Sequence, residues 1–301
     1  MTGRRLLSAA LAQLFLAAWP GLVATGARAQ TPGDNAPLML GIGCGLASGS
    51  VCAMVVPGLS ARTARMGLAA TSAPGTVAGL AAAVCHGRLA AAILPRAAIP
   101  PGCAADVVGP PLFPFYVMAV ARAGTSFRHL DDLAEAHRAV AADPALLGLL
   151  ASVPAWRNGL TIGAATNEDG PRRVAGGGAD AYLALVSPDD PLLARNGGSS
   201  RFIDIHPPAD LFRIGDGACL WRAAGLDLGS GTPITTISTD AVLLLGRDFR
   251  DAHARGGPRA ADALADALVK AGTAILTATR SPPDWRPTAA TCHDPADRPR
   301  N

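Results

Sequence analysis

Short apolar runs alternate with longer segments of mixed small and polar residues in the first third of the chain. The runs Leu38–Gly43, Met66–Thr71 and Leu89–Leu94 have the length and composition of buried strands. The segments between them, Val51–Arg65 and a stretch ending at His86, predict helices. Strands that alternate with helices give right-handed parallel crossovers, so this region predicts an open α/β sheet.

The remainder of the chain continues this mixed pattern. Further apolar runs predict strands at Phe115–Arg122, Arg138–Asp143, Ala179–Ser187, Arg201–His206 and Thr232–Leu245. The last run is the strongest strand signal because it is rich in β-branched residues. Helices are expected at residues 127–133 and 248–278, whereas residues 144–179 are turn-rich and predict no clear element.

The first residues have the pattern of a secretory signal peptide. A basic start at Arg4 and Arg5 precedes the apolar run Leu6–Trp19, and Ala27–Ala29 matches a signal-peptidase site. Pro20 interrupts the run before it reaches the roughly 20 residues that a membrane span needs. We therefore expect residues 1–29 to be removed and the protein to be exported to the periplasm.

Removing this leader also changes the charge. The full chain has 26 basic and 23 acidic residues, and the leader contains three of the basic residues and no acidic one. The exported chain would therefore be balanced, with no basic stripe that favours nucleic acid or an anionic membrane surface.

Six cysteines follow the leader, an even number that predicts disulfides in an oxidising compartment. Six cysteines allow fifteen pairings, so the sequence does not fix the connectivity. Our hypothesis is nearest-neighbour pairing: Cys44–Cys52, Cys85–Cys103 and Cys219–Cys292. No C-x-x-C or H-E-x-x-H motif is present and the histidines are scattered, so we expect no metal site and no cofactor.

The glycine-rich segment GIGCGLASGSVCAMVVPGLS (41–60) raises the possibility of an enzyme, but it lacks the motifs that would support one. Gly41 and Gly43 begin like a dinucleotide fingerprint, yet Leu46 stands where its third glycine would be. The single lysine, Lys270, lies far from this loop, which excludes a P-loop, and no G-x-S-x-G motif occurs. We expect a protein that is not an enzyme, although a periplasmic hydrolase stays open because catalytic groups meet in space.

The order of segments resembles periplasmic solute-binding proteins with the type II fold, and most of all the TAXI branch that serves TRAP transporters. The matching segments span most of residues 38–268 and are GIGCGLASGS, MGLAATSAPGTVAGLAAAVCHGRLAAAILP, LFPFYVMAVARAGTSFRHLDDL, GGGADAYLALVSPDD and PITTISTDAVLLLGRDF.

This resemblance implies a two-lobed α/β fold in which each lobe is a small, mostly parallel sheet flanked by helices, joined by two hinge strands. The expected division is residues 37–117 plus 240–280 for lobe 1, 118–239 for lobe 2 and 281–301 for a C-terminal tail. The implied function is capture of a small solute, anionic and carboxylate-bearing, for delivery to integral membrane transporter subunits.

Candidate ligand-binding residues follow from the rule that open α/β sheets bind ligands beyond the carboxyl ends of their strands. The first loop and the end of the second strand carry glycines and hydroxyls that could supply hydrogen bonds to a ligand. Ser72 could also cap the following helix. Arg96 could bind a carboxylate. The candidates are Gly45, Ser48, Ser50, Thr71, Ser72, Arg96, Tyr116, Asp143 and Ser187.

Two positions depart from the family pattern. Relatives commonly place Gln or Asp after the third strand, where this chain has Pro95-Arg96, and a Ser-Gly turn where it has Asp143-Pro144. These departures keep an alternative open, an exported interaction protein with a degenerate binding fold.

Overall fold

The computed structural model describes the residues 38–42, 61, 70–73, 75–109, 111–187, 190, 192–193, 199–206, 211, 220–228, 233–247, 270 and 285–287.

The described strands are β1 Leu38–Ile42, β2 Ala70–Ala73, β3 Ala91–Pro95, β4 Ala105–Val108, β5 Pro114–Arg122, β6 Ala139–Ala142, β7 Thr161–Ala164, β8 Ala181–Val186, β9 Ser200–Ile203, β10 Arg222–Leu228, β11 Ile234–Gly246 and β12 Trp285–Pro287. The described helices are α1 Val77–Cys85, α2 Leu130–Glu135, α3 Leu147–Ser152, α4 Pro154–Gly159 and α5 Asp169–Ala175, with single 3-10 turns at Arg96–Ala98 and Pro144–Leu146. None of these helices is both long and apolar enough to cross a bilayer.

The first sheet portion has the strand order β2-β1-β3-β11, and β4 also pairs with β11. Strand β1 is parallel to both β2 and β3, and the second half of β11 is antiparallel to β3. Because β2 and β3 are both parallel to β1, the carboxyl ends of the three strands point the same way. Helix α1 packs on this portion through Val77, Leu80, Ala81 and Val84, all of which are buried.

The second sheet portion has the strand order β11-β5-β8-β6-β7, and β9 also pairs with β5. Strand β6 is parallel to β7 and to β8, whereas β5 is antiparallel to β8 and β9. Strand β10 pairs with the first half of β11 and with β12.

Strand β11 belongs to both portions. It has 13 residues: those up to Asp240 pair with β5 and β10, and those from Ala241 pair with β3 and β4. Almost the whole strand is buried, because its β-branched and leucine residues are covered on both faces.

The core lies on both faces of β5. Residues Phe115, Val117, Ala119 and Ala121 pack in one hydrophobic cluster, and Tyr116, Met118 and Val120 pack in another. Successive side chains of a strand point to opposite faces, so seven consecutive buried residues require cover on both sides of the sheet.

The predicted strands within the described ranges are confirmed, with ends shifted by up to a few residues. The helix expected at 127–133 begins later, at Leu130, because His129 still forms an extended bridge with Asp204. The Asp132 carboxylate accepts hydrogen bonds from the backbone N–H groups of Arg128 and His129, which fixes this start. The expected helices 51–65 and 248–278 lie outside the described residues, apart from isolated positions.

Four described strands had no sequence prediction: β4, β7, β10 and β12. The turn-rich stretch 144–179 contains a 3-10 turn, α3, α4, β7 and α5. Its largest fully buried side chain is Trp156, whose Nε1 donates a hydrogen bond to Asp131 Oδ1 at 2.8 Å.

The Cys85–Cys103 disulfide confirms the hypothesised pairing of these two cysteines. It joins the end of α1 to the segment just before β4 and closes a sequence separation of 18 residues. The other two hypothesised bridges, Cys44–Cys52 and Cys219–Cys292, lie outside the described residues.

Candidate functional site

A cavity of about 390 Å³, measured with its solvent-open mouth, is lined by residues of both sheet portions. One wall is the beginning of α1, and the other is formed by the segments that follow β6 and β7. The lining residues are Thr76, Val77, Ala78, Asp143, Pro144, Ala145, Thr166 and Asn167.

Thr76 fixes the wall that the first sheet portion contributes. Its backbone is extended, and its Oγ1 accepts a hydrogen bond from the N–H of Gly79 at 3.1 Å, which makes it the N-cap of α1. The sequence-based expectation that Ser72 is this cap is therefore wrong. Ser72 lies inside β2, which continues to Ala73. The helix begins after Thr76, whose side-chain oxygen accepts a hydrogen bond from the N–H of the third helical residue.

Asp143 stands at the carboxyl end of β6. Its backbone N–H donates to the carbonyl of Leu183 on β8 at 2.8 Å, which holds it to the sheet. Its Oδ1 accepts from the N–H of Ala145 at 2.8 Å and so caps the 3-10 turn that begins at Pro144. Burial raises the pKa of Asp143, and the hydrogen bond from Ala145 opposes part of that rise.

Thr166 and Asn167 follow β7 and begin the turn into α5. The Oγ1 of Thr166 accepts from the N–H of Asp169 at 3.1 Å, and its carbonyl accepts from Gly170 at 2.8 Å. The Oδ1 of Asn167 accepts from the hydroxyl of Tyr182 on β8, whereas its buried Nδ2 has no partner among the described residues. The loop is held to the sheet by this tyrosine and by the N–H of Ala165, which donates to the carbonyl of Ala142 on β6 at 2.8 Å.

Tyr182 supports the loop from within the core. Its side chain is fully buried, and burial raises the pKa of its hydroxyl, with further contributions from the charges of Asp143 and Asp190. The ring packs directly against Gly170 in the first turn of α5: a Cβ at that glycine would stand 2.2 Å from a ring carbon. Only glycine lets the helix approach the strand this closely.

Charge is distributed unevenly around the cavity. Among the described lining residues, Asp143 is the one ionisable side chain, and Thr76, Thr166 and Asn167 are neutral polar groups. Within the described ranges, no group of three or more His, Cys, Asp or Glu side chains is placed to hold a metal ion.

The structure brings one sequence-based candidate, Asp143, into this cavity. Arg96 is the first residue of the 3-10 turn after β3 and is half-buried, but it is not part of the lining. Tyr116 is buried in the core on β5, where burial raises its pKa to about 12. Ser187 is buried just after β8, and its carbonyl accepts from the N–H of Asp190 at 3.0 Å.

The remaining candidates belong to β2 and to the predicted first loop. The backbones of Thr71 and Ser72 lie in β2, and their side chains lie outside the description. Gly45, Ser48 and Ser50 all fall in the range 43–60, which the structure does not describe.

Three polar lining residues were missed in the sequence: Thr76, Thr166 and Asn167. Each follows a strand end by a few residues and precedes a helix, which is the position where hydroxyl and amide side chains cap turns. That signal was present in TSAPGT and ATNEDG, but β7 itself was not recognised.

No family model and no curated protein sequence matches this chain. Several solved structures do resemble it. An amino acid ABC transporter substrate-binding protein from Streptococcus pneumoniae, bound to L-arginine, has a TM-score of 0.52 at 11% identity, covering 82% of this chain and 92% of that one. An ancestral arginine-binding protein bound to arginine has a TM-score of 0.53 at 12% identity, covering 80% and 97%.

A third structure is an ancestral amino acid-binding protein, a precursor of cyclohexadienyl dehydratase. It has a TM-score of 0.53 at 12% identity and covers 80% of this chain and 94% of its own. At such identities the likeness concerns the fold. The chain therefore has the two-lobed α/β fold of periplasmic binding proteins.

Proposed function

We propose that this protein is an exported receptor that captures a small solute in the cavity described above and delivers it to a membrane transporter. The observation that carries the proposal is the position of the cavity. Its walls come from the start of α1 in one sheet portion and from Asp143–Ala145 and Thr166–Asn167 in the other.

Ligands of open α/β sheets bind beyond the carboxyl ends of the strands, where loops and helix starts converge. The cavity stands at the carboxyl ends of β6 and β7 and beside the helix that follows β2. A solute held there would touch both walls at once. Such a solute favours the closed arrangement of the two lobes, because it gains contacts that the open arrangement lacks.

The proposed lobes are residues 37–117 plus 240–280 and residues 118–239. Strand β11 would be one hinge, since its pairing changes from the second sheet portion to the first near Asp240. Strand β5, beside it, would be the other. Small-angle scattering should then show a smaller radius of gyration with saturating solute. An unchanged radius would contradict the hinge.

The kind of solute and of transporter belong to this proposal. The solved relatives include proteins named for amino acids and for arginine, which favours a solute of amino-acid size. Names among them refer to ABC transporters, whereas the sequence resemblance favours a TRAP transporter of the TAXI branch. Permease genes beside this one would distinguish the two systems.

The sequence favoured an anionic, carboxylate-bearing solute. The described lining contains an acidic side chain and no basic one, so it gives this expectation no support. The proposed capture of a solute depends on the position of the cavity and does not depend on the sign of that charge.

A matched pair of cavity-filling variants tests the proposal. Ala78 and Ala151 are both exposed, but only Ala78 lines the cavity. The wild-type protein is screened by thermal shift and calorimetry against L-arginine, L-alanine, L-glutamate, succinate and agmatine. At about 100 times Kd a bound probe adds about 2.7 kcal/mol to the free energy of unfolding.

We expect Ala78→Phe to weaken binding of the active probe at least about 10-fold, because its ring occupies the space of the solute. Ala151→Phe should bind as the wild type does, and both variants should melt near the wild-type temperature without probe. Equal affinity of Ala78→Phe and wild type would place the binding site elsewhere.

A further inference from the structure

We propose that the captured solute bears a positively charged nitrogen and that this group pairs with the carboxylate of Asp143. The inference rests on the proposed function, because it assigns the chemical class of the solute held in the same cavity. It replaces the anionic solute that the sequence favoured.

The carboxylate of Asp143 is only partly satisfied by the protein. A carboxylate can accept several hydrogen bonds, and the described residues supply one, from the N–H of Ala145 to Oδ1 at 2.8 Å. Oδ2 has no hydrogen-bond partner among the described residues. This oxygen belongs to a residue that lines the cavity, so it is placed to receive a donor from the solute.

None of the described lining residues is basic, so none of them neutralises the charge of the Asp143 carboxylate. The other lining residues are threonines, an asparagine, alanines, a valine and a proline. A carboxylate removed from water is costly unless a counter-charge or several donors replace the water. A cationic nitrogen on the solute would supply both a counter-charge and N–H donors, whereas an anionic group would be repelled.

Capping the turn at Pro144 does not by itself require an acid. A turn cap needs one acceptor oxygen, and asparagine supplies it as well as aspartate does. If Asp143 were only a cap, replacing it by asparagine would leave solute binding unchanged. The charge of Asp143 can therefore be tested separately from its structural role.

The test compares probes that differ in one cationic group. Calorimetry measures Kd for L-arginine against L-citrulline, in which a neutral urea replaces the guanidinium, and for L-alanine against L-lactate, in which a hydroxyl replaces the ammonium. Agmatine and succinate are added as a cation without a carboxylate and an anion without an amine.

We expect the cationic member of at least one pair to bind roughly 10- to 100-fold more tightly than its neutral partner. Asp143→Asn should remove most of that preference while its melting temperature without probe stays at or above the wild-type value. Glu135→Gln removes the same charge from an exposed position of α2 that does not line the cavity, and it should change nothing.

Two results would overturn the inference in distinguishable ways. If succinate or L-lactate binds best and Asp143→Asn binds it equally or better, the class of solute is wrong while solute capture stands. If no probe binds to the folded wild-type protein, both the class of solute and the proposed function lose their support.

Discussion

Replacing Gly170 by alanine should destabilise the protein through a single contact. Gly170 lies in the first turn of α5, and its added Cβ would stand 2.2, 2.4 and 2.4 Å from three carbons of the Tyr182 ring. Carbon atoms in contact are normally about 3.5–4.0 Å apart, so helix or ring must move by more than about 1 Å. Tyr182 is fully buried and its hydroxyl donates a hydrogen bond to Asn167. Moving the ring would therefore disturb both the core packing and this hydrogen bond.

Overpacking of this kind costs about 1–3 kcal/mol, and loss of the Tyr182–Asn167 hydrogen bond would add to that. For a chain of this size the melting temperature should fall by roughly 2–12 °C. Urea unfolding followed by circular dichroism measures the free energy, and a thermal melt measures the temperature. Binding should also weaken, because the displaced tyrosine no longer holds the Asn167 wall of the cavity.

Gly148→Ala is the matched control. Gly148 is an exposed residue of α3, and an added Cβ there meets no atom within 4 Å. Alanine should therefore leave stability unchanged or raise it by about 0.5–1 kcal/mol, because it restricts the unfolded chain. If Gly170→Ala is as stable as Gly148→Ala, the close packing of α5 on Tyr182 is refuted.

Three further predictions concern the Arg222–Asp240 ion pair, Asp143 in the cavity and the Cys85–Cys103 disulfide. Arg222 donates to both carboxylate oxygens of the nearly buried Asp240, at 2.9 and 2.8 Å, so Arg222→Ala should cost about 1–3 kcal/mol in urea unfolding. An unchanged midpoint would contradict that pairing. Burial raises the pKa of Asp143 above its ordinary value of 3.8. The stability that this residue contributes to the folded protein therefore falls as the pH rises from 3.8 through the raised pKa. Asp143→Asn should flatten this part of the profile of stability against pH. A profile identical to that of the wild-type protein would contradict the raised pKa of Asp143. The double variant Cys85→Ser, Cys103→Ser opens a loop of 18 residues and should lower the free energy of unfolding by about 3 kcal/mol, and an unchanged free energy would contradict this role of the disulfide.

The sequence predicted those elements whose residues are buried on both faces. Strands β3 and β8 are almost entirely apolar and β11 is rich in β-branched residues and leucine, as expected for strands covered on both faces, and such runs stand out without any structure. Strand β7 has mostly exposed small residues, and β10 contains a glycine and an aspartate, so neither shows a run or an alternation. Those strands form because neighbouring strands offer them an edge.

The candidate site was predictable only where a residue stands at the end of a recognised strand. Asp143 stands at the end of the predicted strand Arg138–Asp143 and was therefore among the candidates. Thr166 and Asn167 follow β7, which was not recognised, and so they were missed. Tyr116 is buried in the core on β5 and is not among the described lining residues, and a run buried on both faces carries no sign of which residues face a ligand.

The most direct measurement of the central claim is a crystal structure of the protein with its tightest-binding probe. The solute should contact Thr76–Ala78 on one wall and Asp143 together with Thr166 or Asn167 on the other. A solute bound outside this cavity, or one that touches a single wall only, would contradict the claim.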